Sequence, residues 1–390
     1  MNLIVNPLAS VEKFEGSDDL ISGGPVPGRG MKFLHISAAE LPSIHELFTE
    51  LLALGLSTLD VTNDLQDAER SLLEEHGILV DPANVPERPL FSCMLDDVVG
   101  RPEPPASMIV NSTISFEPFD LTTFRARMEK YLSPHHATVW VTDSRTGARW
   151  GYWLTAEQAE FVGALEPGAT RWPDADPQLI SKLLAADVLL DANGATRHSG
   201  LELAHASFVR DRYVIVDDIV PPAQLRALQT YYRRYVDRGF MKFGDDQVDR
   251  RFAAHGEHVA SMMHDALLPV MRTITGVPVE RTYAYSAVYA EGAKLDPHVD
   301  RDACEFSFSF QLEYLPEQSD GVSPWPLYIS VNEPEDLDVD PARDKAVHLK
   351  NGGFLAYKGR ELVHYRTPLE PGHRSSSIFF HYVPASNPVR

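Results

Sequence analysis

Three residues near the C-terminal end of the chain have side chains that can hold a metal ion. His298 and Asp300 stand two residues apart, and His364 follows later in the segment ELVHYRTPL. Residues i and i+2 of an extended segment project to the same face, so the first two side chains can reach one ion. Two imidazoles and one carboxylate leave three octahedral positions open, which suits a non-haem Fe(II) that binds a co-substrate and O₂. We therefore predict an Fe(II) site formed by His298, Asp300 and His364.

Arg374 and Ser376 follow His364 on the next predicted strand, two residues apart from each other. The co-substrate 2-oxoglutarate chelates iron through its C1 carboxylate and C2 ketone, which leaves its distal carboxylate in need of a cation. A guanidinium can bind such a carboxylate through two hydrogen bonds, and a nearby hydroxyl can add another. Because Arg374 and Ser376 fall on one face of the strand, we expect both to bind the distal carboxylate.

This pattern resembles the Fe(II)/2-oxoglutarate oxygenases of the prolyl-hydroxylase-like type, which have a double-stranded β-helix (jelly-roll) fold. The resemblance covers about residues 205–390. It rests on Tyr289 with Gly292, the triplet His298-Val299-Asp300, the segment GGFLAYKGRELVHYRTPL with His364, and Arg374 with Ser376. It implies that the triad holds iron and that Arg374 and Ser376 hold 2-oxoglutarate. It also implies that Tyr289, or alternatively Tyr285, donates a hydrogen bond to that co-substrate.

The resemblance also implies a reaction, in which O₂ oxidises 2-oxoglutarate to succinate and CO₂ and a substrate C–H is hydroxylated. Related halogenases lack the carboxylate ligand, so Asp300 favours hydroxylation, or another oxidation such as desaturation, over halogenation. One alternative is a catalytically silent cupin-like binding or regulatory protein, which should have lost a ligand or the arginine. Another is a cupin dioxygenase that uses no 2-oxoglutarate, against which Arg374 and Ser376 argue.

The elements that must position these residues change character near residue 205. Two amphipathic helices are predicted there, and seven short β-runs follow them, separated by Gly, Pro and Asp turns. Such a series of short strands predicts a sandwich or barrel, against which the helices can pack. The fold class is therefore α+β: a C-terminal double-stranded β-helix with supporting helices, and an N-terminal α/β region.

The N-terminal region contains two segments of similar pattern, residues 48–81 and 155–191. Each predicts a helix, a polar linker, a second helix and a short strand, with Gly55 matching Gly168 and Val80-Asp81 matching Leu190-Asp191. A strand pair is predicted over residues 137–154. The two segments indicate a duplicated unit similar to the small winged-helix domains that capture leader peptides in peptide-natural-product enzymes. The alternative is a scaffold or dimer contact without a capture role.

These patterns divide the chain into three predicted regions. Residues 1–30 are expected to be a loose segment, 31–200 an α/β region for scaffolding or for binding a substrate or partner, and 201–390 the oxygenase domain. Within the last region, Arg301, Arg366 and Trp325 either line the substrate mouth or serve in packing and at the surface. Three helical histidines, His255, His258 and His264, are not expected to bind metal, because no Glu or Cys stands at ligand spacing.

Composition narrows the expected partners and compartment. The formal net charge of -21, from 35 basic and 56 acidic residues, argues against nucleic acid and anionic membranes as partners. Two cysteines in 390 residues form no disulfide framework and fit a reducing cytoplasm. We read no signal peptide and no membrane-spanning run. The expected partners are a small-molecule, peptide or protein substrate, and a second copy of the chain in a homodimer.

Overall fold

The computed structural model describes residues 3–13, 17–27, 29–54, 65–117, 137–192, 201–330 and 332–385. Its contacts divide the chain into two compact units, Met1–Pro89 with Tyr231–Ala254, and Leu90–Thr230 with His255–Arg390. The first unit is discontinuous in sequence, so the predicted boundaries at residues 30 and 200 do not coincide with this division. The oxygenase and binding roles assigned to those regions stay predictions.

The helices in the described residues are α1 (Pro42–Leu54), α2 (Asp67–Glu75), α3 (Ala156–Gly163), α4 (Pro177–Ala185), α5 (Leu201–Asp211), α6 (Pro222–Asp237), α7 (His258–Ala266) and α8 (Leu268–Thr275). None of these helices is both long enough and apolar enough to cross a membrane.

The strands are β1 (Ile4–Val5), β2 (Ser10–Lys13), β3 (Leu20–Val26), β4 (Gly30–Ile36), β5 (Leu79–Val80), β6 (Met108–Val110), β7 (Ser115–Glu117), β8 (Ala137–Thr142), β9 (Arg149–Leu154), β10 (Leu189–Asp191), β11 (Tyr213–Val216), β12 (Lys242–Phe243), β13 (Arg251–His255), β14 (Val279–Tyr289), β15 (Leu295–His298), β16 (Phe306–Leu315), β17 (Leu327–Ile329), β18 (Lys345–Val347), β19 (Phe354–Tyr357), β20 (His364–Arg366) and β21 (Arg374–Pro384).

The described residues of the N-terminal segment, which was expected to be loose over residues 1–30, include strands β1, β2 and β3 and the start of β4. Strands β2, β3 and β4 form an antiparallel meander, and β12 extends it in parallel beside β4. The glycines that indicated a loop serve close packing instead. A Cβ on Gly24 would lie 2.1 Å from the carbonyl oxygen of Gly77, so only glycine allows the two backbones to approach this closely.

Each of the two units contains a segment in which strands and helices follow each other in the same order. The described parts of residues 3–81 form a short strand, a three-stranded meander, two helices and a short strand, and the described parts of residues 108–191 repeat this order. In each segment the last short strand pairs antiparallel with the first, Val5 opposite Leu79 and Val110 opposite Leu189. The predicted strand pair over 137–154 is present as β8 and β9. The helix, helix and strand pattern predicted at 48–81 and 155–191 therefore belongs to a longer repeat.

In each repeat, an asparagine after the first strand donates a hydrogen bond to the turn before the last strand. Asn6, after β1, donates its side-chain amide to the Gly77 carbonyl at 2.8 Å, and Asn111, after β6, donates to the Asp187 carbonyl at 2.9 Å. Both acceptors have positive φ, 64° at Gly77 and 57° at Asp187, where a helix turns into a strand. The sequence Ile-Val-Asn stands at both places and was not used in the prediction. Gly55 lies outside the described residues, and the winged-helix character of the repeats stays a prediction.

The C-terminal part of the second unit contains two antiparallel sheets. One has the strand order β11-β19-β16-β21-β14, and the other has the order β15-β20-β17-β18. Side chains from the two sheets meet, because Ser307 of β16 contacts Asp300 after β15, and Tyr357 of β19 contacts His364 of β20. This two-sheet arrangement agrees with the jelly roll expected for residues 205–390.

Strand β16 shows how the sequence separates the two faces of the larger sheet. In FSFSFQLEYL, phenylalanine alternates with smaller polar residues. Phe306 lies 6.1 Å from Phe208 of α5, and the next phenylalanine of this face, Phe308, stacks on Phe354 at 4.3 Å. The alternate residue Ser307 points to the other face, where Asp300 lies. The phenylalanines thus pack beneath the helices, while the serines line the opposite side.

Candidate metal centre

Two paired strands place the histidines of the predicted triad next to each other. His298 ends β15, His364 begins β20, and the two residues are direct cross-strand partners. Directly opposed residues of an antiparallel pair share a face, and here the two imidazole centroids are 4.3 Å apart. The chain turns after β15 so that the Asp300 amide donates to the Gly359 carbonyl at 2.9 Å. This bond holds the Asp300 backbone beside the loop that leads to His364.

The three side chains converge on one point. Asp300 Oδ1 lies 3.8 Å from His298 Nε2 and 3.5 Å from His364 Nε2. One ligand atom from each residue lies within 4.8 Å of the other two, a spacing that a single metal ion can bridge. The structure therefore brings together all three residues that the sequence predicts as iron ligands.

Hydrogen bonds fix which nitrogen each imidazole presents. His298 Nδ1 lies 2.8 Å from the Asp296 carbonyl, and His364 Nδ1 lies 2.9 Å from the Leu362 carbonyl. A carbonyl oxygen can only accept, so both Nδ1 atoms carry the proton and donate it. In the neutral imidazoles the Nε2 lone pairs are then directed toward Asp300, which is the tautomer that metal ligation requires. This donor set fits Fe(II), with two imidazole nitrogens and one carboxylate oxygen.

Ser307 and His381 orient the carboxylate of Asp300. The Ser307 hydroxyl donates to Asp300 Oδ2 at 2.6 Å and lies 3.0 Å from His381 Nδ1. The hydroxyl has one proton, so His381 Nδ1–H must donate to Ser307 Oγ while Ser307 donates to Asp300. Oδ2 is thereby occupied, and Oδ1 is left to face the two Nε2 atoms. Neither Ser307 nor His381 was predicted to act at this site.

The charges at the centre follow from burial and from one ion pair. Burial opposes ionisation of Asp300, but the attraction of His364 and hydrogen bonds from His364 and Ser307 outweigh it and lower the pKa of Asp300. Burial likewise opposes protonation of His364, while the Asp300 carboxylate raises the pKa of His364. Burial lowers the pKa of His381 to about 4. His381 is therefore neutral at pH 7 and can serve as the single-proton donor to Ser307.

Gly359 leaves the space that Asp300 occupies. A Cβ at this position would lie 2.2 Å from Asp300 Oδ2 and 2.8 Å from Ser307 Oγ. Any side chain here would displace the carboxylate or its hydrogen-bond donor, since real Cβ atoms do not approach so closely. Gly359 lies within the segment GGFLAYKGRELVHYRTPL that carried the resemblance, yet its role depends on a contact that spacing alone does not reveal.

The residues predicted to hold 2-oxoglutarate do not all share one face. Tyr289 is buried, lies opposite Ser375 of β21, and contacts the Trp325 ring with centroids 5.1 Å apart. Ser376 lies opposite Val288, so strand alternation places it on the other face from Tyr289. Arg374 shares the alternation of Ser376. The sequence showed that Arg374 and Ser376 lie together but could not show which face points to the metal.

The other residues considered from the sequence also differ in burial and in the face on which they lie. Arg366 and Trp325 are buried and in contact, with the guanidinium carbon 4.3 Å from the indole centroid, whereas Arg301 is exposed. Tyr285 lies opposite Phe379 and so shares the face of Tyr289. His264 is buried and its Nε2 donates to the His381 carbonyl at 3.0 Å, which gives this histidine a structural role.

Comparisons with known proteins give similarity to solved structures alone. No family model and no curated protein matches the chain. A prolyl-4-hydroxylase from Pseudomonas putida is similar with 14% identity and TM-score 0.37, over 47% of this chain and 98% of that one. The α-ketoglutarate-dependent epimerase SnoN is similar with 15% identity and TM-score 0.38, over 48% of this chain and 83% of that one. EctD from S. alaskensis has 16% identity and TM-score 0.37, over 48% and 78%. At these values the similarity does not assign a function to this chain.

Proposed function

We propose that this chain is an Fe(II)- and 2-oxoglutarate-dependent oxygenase that hydroxylates an unactivated C–H of an amino acid, peptide or protein substrate. The observation that carries the proposal is the convergence of His298 Nε2, Asp300 Oδ1 and His364 Nε2 within 4.8 Å of one another. Three facing ligands leave the open positions that a co-substrate and O₂ need. The alternatives are a catalytically silent binding protein and a dioxygenase that uses no 2-oxoglutarate. Neither alternative would release succinate, so succinate formation distinguishes the proposed function from both.

In this proposal, the residues of the chain hold the metal and the co-substrate in place and orient the ligand atoms. When bound, Fe(II) and 2-oxoglutarate supply the oxidising chemistry, in which O₂ converts 2-oxoglutarate to succinate and CO₂. His298 and His364 hold the metal through nitrogens whose tautomers are fixed by the Asp296 and Leu362 carbonyls. Asp300 contributes one oxygen, because Ser307 occupies the other. Arg374 and Ser376 stay the sequence-based candidates for the distal carboxylate.

A capture role for residues 31–200 also stays a proposal. An extended peptide can add to a sheet at an exposed edge. In the described residues, β12 lies beside β4, and Met94 bridges to Trp153 of β9, so the last strand of each meander has a neighbour. Of the two first strands, β2 and β7, the strand β7 lies within residues 31–200, and we propose that a peptide adds along it. Amide exchange that slows at residues 115–117 in the presence of a peptide substrate would support this role, whereas unchanged exchange would contradict it.

Succinate formation tests the proposed reaction. The protein loaded anaerobically with Fe(II) and then given 2-oxoglutarate and O₂ should release succinate, slowly without substrate and faster with it. His364→Ala should abolish this release because it removes a metal ligand. His348→Ala is the matched control, since His348 bonds the Ser323 carbonyl away from the triad and should leave release unchanged. Equal succinate from wild type and His364→Ala would exclude the proposed function.

A further inference from the structure

Arg366 is a buried cation on the strand that carries a metal ligand. It follows His364 by two residues in β20, so the two side chains share a face. The residue between them, Tyr365, points the other way and donates its hydroxyl to Asp344 at 2.8 Å. Arg366 is only 4% exposed. A guanidinium therefore lies on the metal side of the smaller sheet, out of reach of water.

The protein satisfies this guanidinium only in part. One nitrogen donates to the Trp325 carbonyl at 2.7 Å, and the group lies over the Trp325 ring. Within the described parts of the chain, no carboxylate lies at ion-pair distance from Arg366. A guanidinium has five N–H donors, and burying it without an anion is costly unless a ligand supplies the negative charge. The remaining donors thus define a site for an anion.

The surroundings of Arg366 continue to the metal centre. The Trp325 ring beneath the guanidinium contacts Tyr289, and Tyr357 contacts His364 with centroids 5.0 Å apart. The phenols of Tyr289 and Tyr357 both lie close enough to Arg366 to interact with it electrostatically. Ser377 lies on the same face as Tyr289, and its buried hydroxyl has no hydrogen-bond partner in the described residues. An anion at Arg366 would meet a buried cation that packs on the Trp325 ring, which Tyr289 also contacts.

The spacing suits a short dicarboxylate. Residues two apart in a strand are about 6.6 Å apart along the chain. 2-Oxoglutarate bound through its C1 and C2 oxygens extends its distal carboxylate by three further carbons, a comparable length. The two residues thus lie near enough along the strand for one molecule of this length to contact both side chains.

We propose that Arg366 binds the distal carboxylate of 2-oxoglutarate and so selects this co-substrate. The assignment rests on the proposed function. It moves to Arg366 the role expected for Arg374, whose strand alternation matches Ser376 and not Tyr289. Arg366 acts as a binding and specificity-determining residue, and the metal ligands are unchanged.

A comparison of two 2-oxo acids tests the assignment. 2-Oxopentanoate has the chain length of 2-oxoglutarate but no distal carboxylate. Each acid is titrated anaerobically into the Fe(II) protein, and its affinity is read from the visible charge-transfer band of the chelate. Wild type should prefer 2-oxoglutarate on the order of 100-fold, since a hydrogen-bonded charge pair is lost with the other acid. Arg366→Met should bind both acids alike, and Arg366→Lys should recover part of the preference. A preference that is lost in Arg374→Met but kept in Arg366→Met would overturn the assignment in favour of Arg374.

Two further measurements show whether a lost preference in Arg366→Met comes from the missing guanidinium or from a damaged fold. Arg360→Met removes an exposed arginine that pairs with Glu305 and should keep the wild-type preference. The metal-free Arg366→Met protein should unfold at an unchanged or higher temperature, because an unpaired buried charge has been removed. A lower temperature would indicate a structural arginine and overturn the assignment. A full preference retained in Arg366→Met would overturn it too, whether or not substrate turnover falls. A wild type with no band at all would instead contradict the proposed function, and the assignment with it.

Discussion

Asp300 can act as a ligand through one oxygen because Ser307 holds the other. We expect Ser307→Ala to weaken Fe(II) binding about 10-fold, since hydrogen bonds to a metal ligand typically contribute 10- to 100-fold in affinity. Anaerobic Fe(II) titration measures the effect. Ser309→Ala is the matched control, because Ser309 is also buried and lies two residues further along the same strand. Equal affinities of the two variants would show that Ser307 has no part in orienting Asp300.

A substitution at Gly359 tests the position of the Asp300 carboxylate in a second way. Gly359→Ala places a methyl group where Asp300 Oδ2 lies, so the carboxylate must move or the loop must shift. We expect Fe(II) affinity to fall by at least about 10-fold, with helix and sheet content unchanged in circular dichroism. Unaltered Fe(II) affinity would mean that the loop yields without disturbing the ligand.

His264 makes stability depend on pH. It is buried beside Phe380, and burial lowers its pKa to about 3, below the value of about 6.5 expected when unfolded. The unfolded chain therefore binds a proton first, and stability present above pH 6.5 is lost as pH falls toward 3. The loss for one such proton is up to about 1.4 kcal/mol per pH unit.

Urea unfolding at pH 7, 5.5 and 4.5 measures this dependence. We expect His264→Gln to be less stable than wild type at pH 7 but to lose less stability on acidification. The other buried histidines are the same in both proteins, so their difference isolates His264. Parallel stability curves for the two proteins would contradict the assigned pKa.

At the scale of elements, the repeated β and α segments depend on one asparagine each. Asn111 donates to the carbonyls of Thr142 and Asp187 and accepts from the Thr113 amide. Asn111→Ala leaves these partly buried groups without this partner, so we expect the free energy of unfolding to fall by about 1 kcal/mol. Ser112→Ala changes the exposed neighbour and should have little effect. Unfolding by urea compares the two variants, and equal stabilities would show that the asparagine does not close the repeat.

The sequence predicted the strands and helices better than it predicted which of their side chains face the metal. The i, i+2 spacing placed His298 and Asp300 together, because that inference needs only local geometry. Whether Ser375 or Ser376 faces the metal depends on the register of β21 with β14, which long-range pairing decides. For the same reason Arg366 was left among the candidates for the substrate mouth, although it is buried.

At the scale of the whole molecule, the order of residues in sequence concealed the two units. Residues 231–254 belong with residues 1–89, so a boundary sought along the chain could not reproduce this division. The repeat was recognised from its helices but not from its first strand. Ile4-Val5-Asn6 and Ile109-Val110-Asn111 are short, and their equivalence is evident only when Asn6 and Asn111 are seen to bond matching turns.

The central claim concerns one metal and one co-substrate in the second unit. Anaerobic addition of Fe(II) and then 2-oxoglutarate to the full chain, followed by visible absorption, tests it most directly. The account predicts one Fe(II) bound per chain, a charge-transfer band that forms only with both components, and no band in His298→Ala or His364→Ala. A wild type that binds iron without the band, or a band that persists in His364→Ala, would contradict it.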